Sequence, residues 1–294
     1  MNGYLWMTVS SLMFAFLRVF VRLSSPYASW AEVGAVRTVT GAIISIAIAR
    51  TMGTSLAIGR QGDAWARSIL GTLGLLLLYI VLANPAINVG DVAVLTATSP
   101  IIVAIVSPYL LSERPGGRVW KCAAVSFAGI VLIAQPKFET AGTLVLVAMA
   151  SAITSGLGNV FMRRLGPYAS AEAIVLHFAV VSAIGLLAIA VWTWRWPSPV
   201  GWLFMGATGV TGCFGQLAQT RAYALVPAGR IGIFGYLATV FTQLVAVAVL
   251  GEKITPYQIV GSALIVGSGL ILSRSRAHAA EAGNEPTAEA RRAA

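Results

Sequence analysis

Long apolar runs decide most of what this 294-residue chain can fold into. Ten can be traced, at about 3–22, 29–49, 67–84, 89–111, 118–135, 142–162, 170–192, 200–221, 229–251 and 255–273. Each has roughly the 20 residues that a helix needs to cross about 30 Å of hydrocarbon at 1.5 Å per residue. A backbone in hydrocarbon must satisfy its own N–H and C=O groups, which leaves the helix as the form for runs of this length. The third and eighth runs are the weakest of the ten. Composition agrees: 57% of residues are hydrophobic and 10% charged, against about 25% charged in a soluble domain. An ordinary soluble enzyme is therefore excluded. The first run lacks the basic flank and small-residue cleavage site of a signal peptide, so it is expected to be kept as a span.

The runs fall into two related sets. Residues 19–29 read VFVRLSSPYAS and residues 160–170 read VFMRRLGPYAS, identical at 7 of 11 positions at an offset of 141. Ala31-Glu32 then matches Ala171-Glu172 at an offset of 140, and Leu111-Ser112-Glu113 echoes Leu250-Gly251-Glu252. Five spans per half is an odd number, so the second copy must lie upside down relative to the first. The expected fold is an all-α polytopic membrane protein, with ten transmembrane helices as two inverted five-helix repeats. The repeats cover residues 1–139 and 140–276, and residues 277–294 form a disordered cytoplasmic tail. In each copy Pro26 or Pro167 breaks a helix, and Ser29 or Ser170 can cap the next one.

A net charge of +10 could suggest nucleic acid, but its distribution argues otherwise. With both termini in the cytoplasm, the inner loops and tail hold 14 of the 20 Lys and Arg residues, from Arg50, Arg60 and Arg67 through Arg163 and Arg164 to Arg292. The outer ends hold Arg18, Arg22, Lys137, Arg195 and Lys253, and Arg37 lies within a span. This is the positive-inside bias. It places the chain in a cell (inner) membrane with both termini cytoplasmic. The bilayer and a small solute are the expected partners, with no nucleic acid, no metal and no cofactor. A monomer is the expected unit. Cys122 and Cys213 sit inside spans as packing residues rather than a disulfide.

Several segments carry a family pattern. They are EVGAVRTVTG (32–41), TSPIIVAIVSPYLLSER (98–114) and VSFAGIVLI (125–133), echoed by AYALVPAGRI (222–231), VAVAVLGEKIT (245–255) and IVGSALIVGSGLIL (259–272). On these the chain resembles the EamA family of the drug/metabolite transporter superfamily, over nearly all of residues 3–273. The resemblance implies a ten-helix carrier of small organic solutes such as amino acids, nucleoside-like metabolites, vitamins or drugs. Thr239 stands where Pro100 would align, and His177 where Arg37 would.

Ionisable groups inside hydrocarbon cost a few kcal/mol on insertion scales, so each needs a reason. Arg37 either holds a substrate's carboxylate or phosphate bidentately or forms a structural pair with Glu32 or Asp91. His177 is a proton carrier or a packing residue. Arg18, aligned with Asn159, lines a cavity or snorkels outward. Gln216, Gln219 and Tyr223 share one face of the eighth span, for which Tyr79 and Asn84 could be the repeat counterpart. Trp6 is a membrane-belt residue or a wall for an aromatic ligand. Gly206, Gly209 and Gly212 give the eighth span a smooth face for close approach. The leading expectation is a secondary transporter working by alternating access, as an exchanger or facilitator or with protons. The alternatives are a membrane-embedded lipid-modifying enzyme and a non-transporting scaffold. Deep Arg37 and Arg18 favour a solute with an anionic group.

Overall fold

The computed structural model describes residues 2–82, 89–137, 142–192, 194–251 and 253–283, and every regular element among them is an α-helix. In chain order these are α1 (Gly3–Ser24), α2 (Trp30–Met52), α3 (Gln61–Leu82), α4 (Val89–Thr96), α5 (Ser99–Leu110), α6 (Gly117–Ala134), α7 (Thr143–Leu165), α8 (Ala171–Ala190), α9 (Pro199–Leu225), α10 (Ala228–Phe234), α11 (Leu237–Leu250) and α12 (Pro256–Gly283). Among the described residues, nine helical segments are long and apolar enough to cross a membrane. The eighth expected span is α9, helical for 27 residues. It falls short in apolar character, since Gln216, Gln219, Thr220 and Arg221 crowd its last turns.

Local chemistry explains the helix ends. Ser29 accepts the Glu32 N–H while the Glu32 carboxylate accepts the Ser29 N–H, a reciprocal capping box. Ser170 caps α8 through the Ala173 N–H, and Ser198 caps α9 through the Gly201 N–H. The expected fourth and ninth spans are each broken. Pro100 cannot donate to the preceding turn, and the fourth span divides into α4 and α5 at Ala97-Thr98. The Ala97 carbonyl at the break accepts from the Tyr236 hydroxyl at 2.5 Å. Tyr236 itself lies at the break between α10 and α11. The third span begins at Gln61, six residues earlier than expected, which draws Arg67 out of the loop and into α3. At the C-terminus, α12 continues to Gly283, into the segment expected to be disordered, and the rest of that tail lies outside the described residues. Asn84 also lies outside them.

The main helix packings come in related pairs. α1 packs on α9 as α7 packs on α3, α2 on α9 as α8 on α3, and α1 on α11 as α7 on α5. α2–α8 and α6–α12 each join a helix to its own counterpart, while α5–α10 has no related pair among the main packings. The correspondence reaches single hydrogen bonds. The Ser10 hydroxyl donates to the Gly215 carbonyl at 2.9 Å, and the Ser151 hydroxyl to the Gly74 carbonyl at 2.8 Å. Both residues of each pair differ from their counterparts by 141. Lipid is as apolar as leucine, so helices in a bilayer are held by close packing and such bonds rather than by hydrophobic burial. The α6–α12 crossing shows the closeness. A Cβ on Gly129 would lie 2.6 Å from the Gly261 carbonyl oxygen, and one on Gly261 would lie 2.5 Å from that of Gly129. Cys122 and Cys213 are buried free thiols, the latter donating to the Gly41 carbonyl at 3.5 Å.

Candidate functional site

α1 locates the interior. One side of it packs on α9 and another on α11. Between them runs a stripe of Tyr4, Met7, Ser11 and Arg18, spaced 3, 4 and 7 residues apart. The first three are buried, with the Tyr4 hydroxyl donating to the Leu272 carbonyl at 3.0 Å. Arg18 on the same stripe is exposed. Its guanidinium donates to the Thr242 hydroxyl at 3.3 Å. Asn159 is half-buried and makes no hydrogen bond among the described residues.

Arg37 lies at the junction of α1, α2 and α9. A Cβ on Gly212 would be 2.9 Å from both the Arg37 Nε and a methyl of Leu17, so the glycine is the seat of the guanidinium. Arg37 is half-buried and forms no ion pair or hydrogen bond among the described residues. Both proposed structural partners fail. Glu32 is committed to its capping box and to the Arg195 N–H, and no ion pair joins Asp91 to Arg37 among the described residues. Near the start of α2, Tyr79 packs against Trp30 with ring centroids 5.7 Å apart and planes tilted by 42°. Its buried hydroxyl has no hydrogen-bond partner among the described residues.

The register used for the second half needs correction at His177. Arg37 is the eighth residue after the cap Ser29, and the eighth after the cap Ser170 is Phe178. Glycine contacts agree: Gly212 backs onto Arg37, whereas Gly71, its counterpart at 141, backs onto the Phe178 ring at 2.9 Å. One residue turns a helical side chain by about 100°, so His177 points elsewhere. Its Nδ1 hydrogen-bonds with the Ser68 hydroxyl at 2.7 Å, and its ring meets the edge of Trp65 at 4.9 Å. Glu172 shows the same slip. Glu32 is third in its helix and closes a capping box. Glu172 is second in its helix and instead pairs with Arg221 of α9, whose guanidinium lies 4.8 Å from the Trp6 ring. Trp6 is thus the floor beneath an ion pair.

That ion pair belongs to a set of ties at the end where α1, α3 and α8 begin and α7 and α9 finish, the inner end in the topology expected from the sequence. Glu113 accepts from the Arg163 Nε at 2.8 Å and from the Ala228 N–H, first residue of α10, at 2.7 Å. Arg163 also donates to the Tyr223 and Ala224 carbonyls at 2.8 and 2.6 Å, capping the end of α9. Asp63 pairs with Arg60 at 3.0 Å and with Arg164 at 3.3 Å. The Gly59 N–H donates to the Tyr168 carbonyl at 3.1 Å, and the Ser170 hydroxyl to the Ser55 carbonyl at 2.7 Å. Glu113–Arg163, Asp63–Arg164, Gly59–Tyr168 and Ser55–Ser170 each join one half of the chain to the other. Above this layer Tyr223 is buried at 2% and Gln216 at 8% exposure, with Gln219 half-buried.

The sequence misplaced one residue of consequence. Arg67, counted among the loop cations, is 4% exposed inside α3. Its guanidinium stacks 4.4 Å from the Phe178 ring centroid, and its Nε has no hydrogen-bond partner among the described residues. A buried guanidinium costs about 2.5–3.5 kcal/mol on insertion scales, and a desolvated cation–π contact returns about 2 kcal/mol. The six-residue lead that puts Arg67 inside was legible only from the helix start at Gln61.

The EamA-like transporter family model matches residues 1–135 and 142–274. The chain is 25% identical over 279 residues to the pseudopaline exporter CntI of Pseudomonas aeruginosa, covering 94% of this chain and 97% of that protein. It is 25% identical to a riboflavin transporter of Vibrio cholerae (90% and 91% covered) and 21% identical to an S-adenosylmethionine uptake transporter of Rickettsia prowazekii (73% and 74%). A solved crystal structure of 18% identity superposes with a TM-score of 0.80, over 92% of this chain and 98% of that one.

Proposed function

The chain belongs to the EamA-like transporter family, and from that premise we propose a secondary carrier of a small organic metabolite with an anionic group, working by alternating access. The observation that carries the substrate class is Arg37: a membrane-interior guanidinium, accessible, seated on glycine and unpaired among the described residues. A charge at that depth is sustained by a water-filled path or a ligand. The related helix packings support two inverted five-helix repeats, with α4–α5 and α10–α11 each making one span. The inner ties hold the two halves together on the cytoplasmic side, so rocking one half against the other would have to break them.

The described carboxylates at the inner end and at the α2 cap are each held by a cation or a helix cap. Coupling through a free central carboxylate is therefore disfavoured, and an exchanger or facilitator is the better fit. The test is flux in proteoliposomes, using a panel of amino acids, flavins and nucleoside-like solutes. A saturable flux that follows the solute gradient and ignores an imposed pH gradient is expected. Absence of flux for every anionic or zwitterionic solute would remove the substrate class.

The lysine and arginine distribution supports a plasma-membrane protein with both termini inside. A reporter active only outside the cytoplasm should stay silent when fused after Arg274, and strong activity there would invert the topology.

A further inference from the structure

We propose that Arg67 is a second anion-binding group of the transport path, the inner-half counterpart of the Arg37 seat; this rests on the carrier reading above. The two glycines related by 141, Gly71 and Gly212, each hold a guanidinium where a Cβ would stand. At Gly212 it is Arg37, reaching across from α2, with its Nε 2.9 Å from the Cβ position. At Gly71 the residue that corresponds to Arg37 is Phe178, and the cation comes instead from α3 itself. The Arg67 Nη1 lies 2.1 Å from the Cβ position of Gly71 and 3.6 Å from that of Gly158 on α7. Two helices have given up side chains to make room for one charged group.

Arg67 forms no ion pair or hydrogen bond among the described residues, although it is almost fully buried. Asp63 lies one helical turn below, and its carboxylate is taken by Arg60 and Arg164. Phe178 offers its face, which offsets only part of the cost of burial. A planar fork of five donors with an empty Nε suits a carboxylate or phosphate.

The two cations differ in access. Arg37 is half-buried, while Arg67 is sealed above the inner ties. An acid group that meets Arg37 first would meet Arg67 when the inner ties open, so α2 and α3 each supply one seat at its own stage of the cycle.

The experiment uses the full chain in lipid nanodiscs, with thermal unfolding followed in the presence of sodium succinate, sodium phosphate, or sodium chloride at matched ionic strength. Ligand-free Arg67→Gln should unfold at a higher temperature than wild type, because an uncompensated charge has gone. Succinate or phosphate should raise the wild-type midpoint above the chloride control. With Arg37 replaced by glutamine to silence the first seat, Arg67→Gln should lose most of the rise that remains, and Arg67→Lys should keep part of it. Solute flux of Arg67→Gln should fall about tenfold, on the scale of one charge-assisted hydrogen bond. The proposal is overturned if ligand-free Arg67→Gln unfolds at a lower temperature, which marks a structural group. It is also overturned if, in the Arg37→Gln background, the anion effect survives Arg67→Gln or is missing while Arg67 is present. Anion stabilisation that depends on Arg67 in a chain with no flux would leave this inference standing and remove the carrier reading instead.

Discussion

Replacing Arg37 with lysine should lower flux per folded molecule about tenfold while leaving the amount of folded protein in the membrane nearly unchanged. Lysine keeps the charge but loses the planar two-donor fork, so a bidentate acid group would keep one hydrogen bond of two. A charge-assisted bond contributes about 1.5–3 kcal/mol, which is tenfold or more. Stability should barely respond, because Arg37 has no protein partner to lose among the described residues. Arg37→Gln removes the charge as well and should cost more flux than Arg37→Lys. Gly212→Ala gives an independent handle, since its Cβ would press the Arg37 Nε and a Leu17 methyl at 2.9 Å. Specific flux unchanged in Arg37→Gln would take Arg37 out of the binding site.

Glu113→Ala should open the inner end. Its carboxylate joins Arg163 of the other half to the N-terminus of α10, so one substitution removes two charge-assisted bonds. The side chain is 20% exposed and Arg163 is 23% exposed, which places the loss at the lower end of the range, about 2 kcal/mol. A two-state equilibrium between closed and open inner ends would shift about 30-fold. Arg163 would stay anchored by the Tyr223 and Ala224 carbonyls, so the fold should survive. The readout is a cysteine at Ala222, fully buried at 0% exposure, with Cys122 and Cys213 replaced by alanine. A water-soluble maleimide should label it at least tenfold faster with Glu113→Ala than without it. Equal labelling rates would show that Glu113 is not what holds the inner end shut. Glu113→Gln, which keeps an acceptor for the Ala228 N–H, should fall between the two.

The two expectations differ in what they needed. Arg37 stood out in the sequence because a lone arginine eight residues into an apolar run has no neutral explanation. Glu113 did not, since a glutamate at the end of a span reads as a surface residue. Its role came from Arg163, 50 positions away, and Ala228, 115 away. Trp6 was equally ambiguous, and only the tertiary structure shows the Arg221 guanidinium over its ring.

What the sequence determined by itself is what depends on neighbours along the chain. Apolar length decided which segments cross, turn chemistry decided the Ser29 and Ser170 caps, and the duplicated VF-R---PYAS motif decided that there are two related halves. Rotation about each helix axis was beyond it. These helices are apolar nearly all round, so no polar stripe marks the face that meets a neighbour. Helix rotation is set instead by where small residues allow close approach, as at Gly71, Gly209 and Gly212. A one-residue slip between Glu32 and Glu172 was invisible as anything but a gap, yet it turns a side chain by about 100°. That rotation sends His177 to Ser68, brings Phe178 to Gly71, and leaves room there for Arg67. Which cations line the interior was therefore decided by tertiary packing alone, because burial is a property of the facing helix and not of the residue.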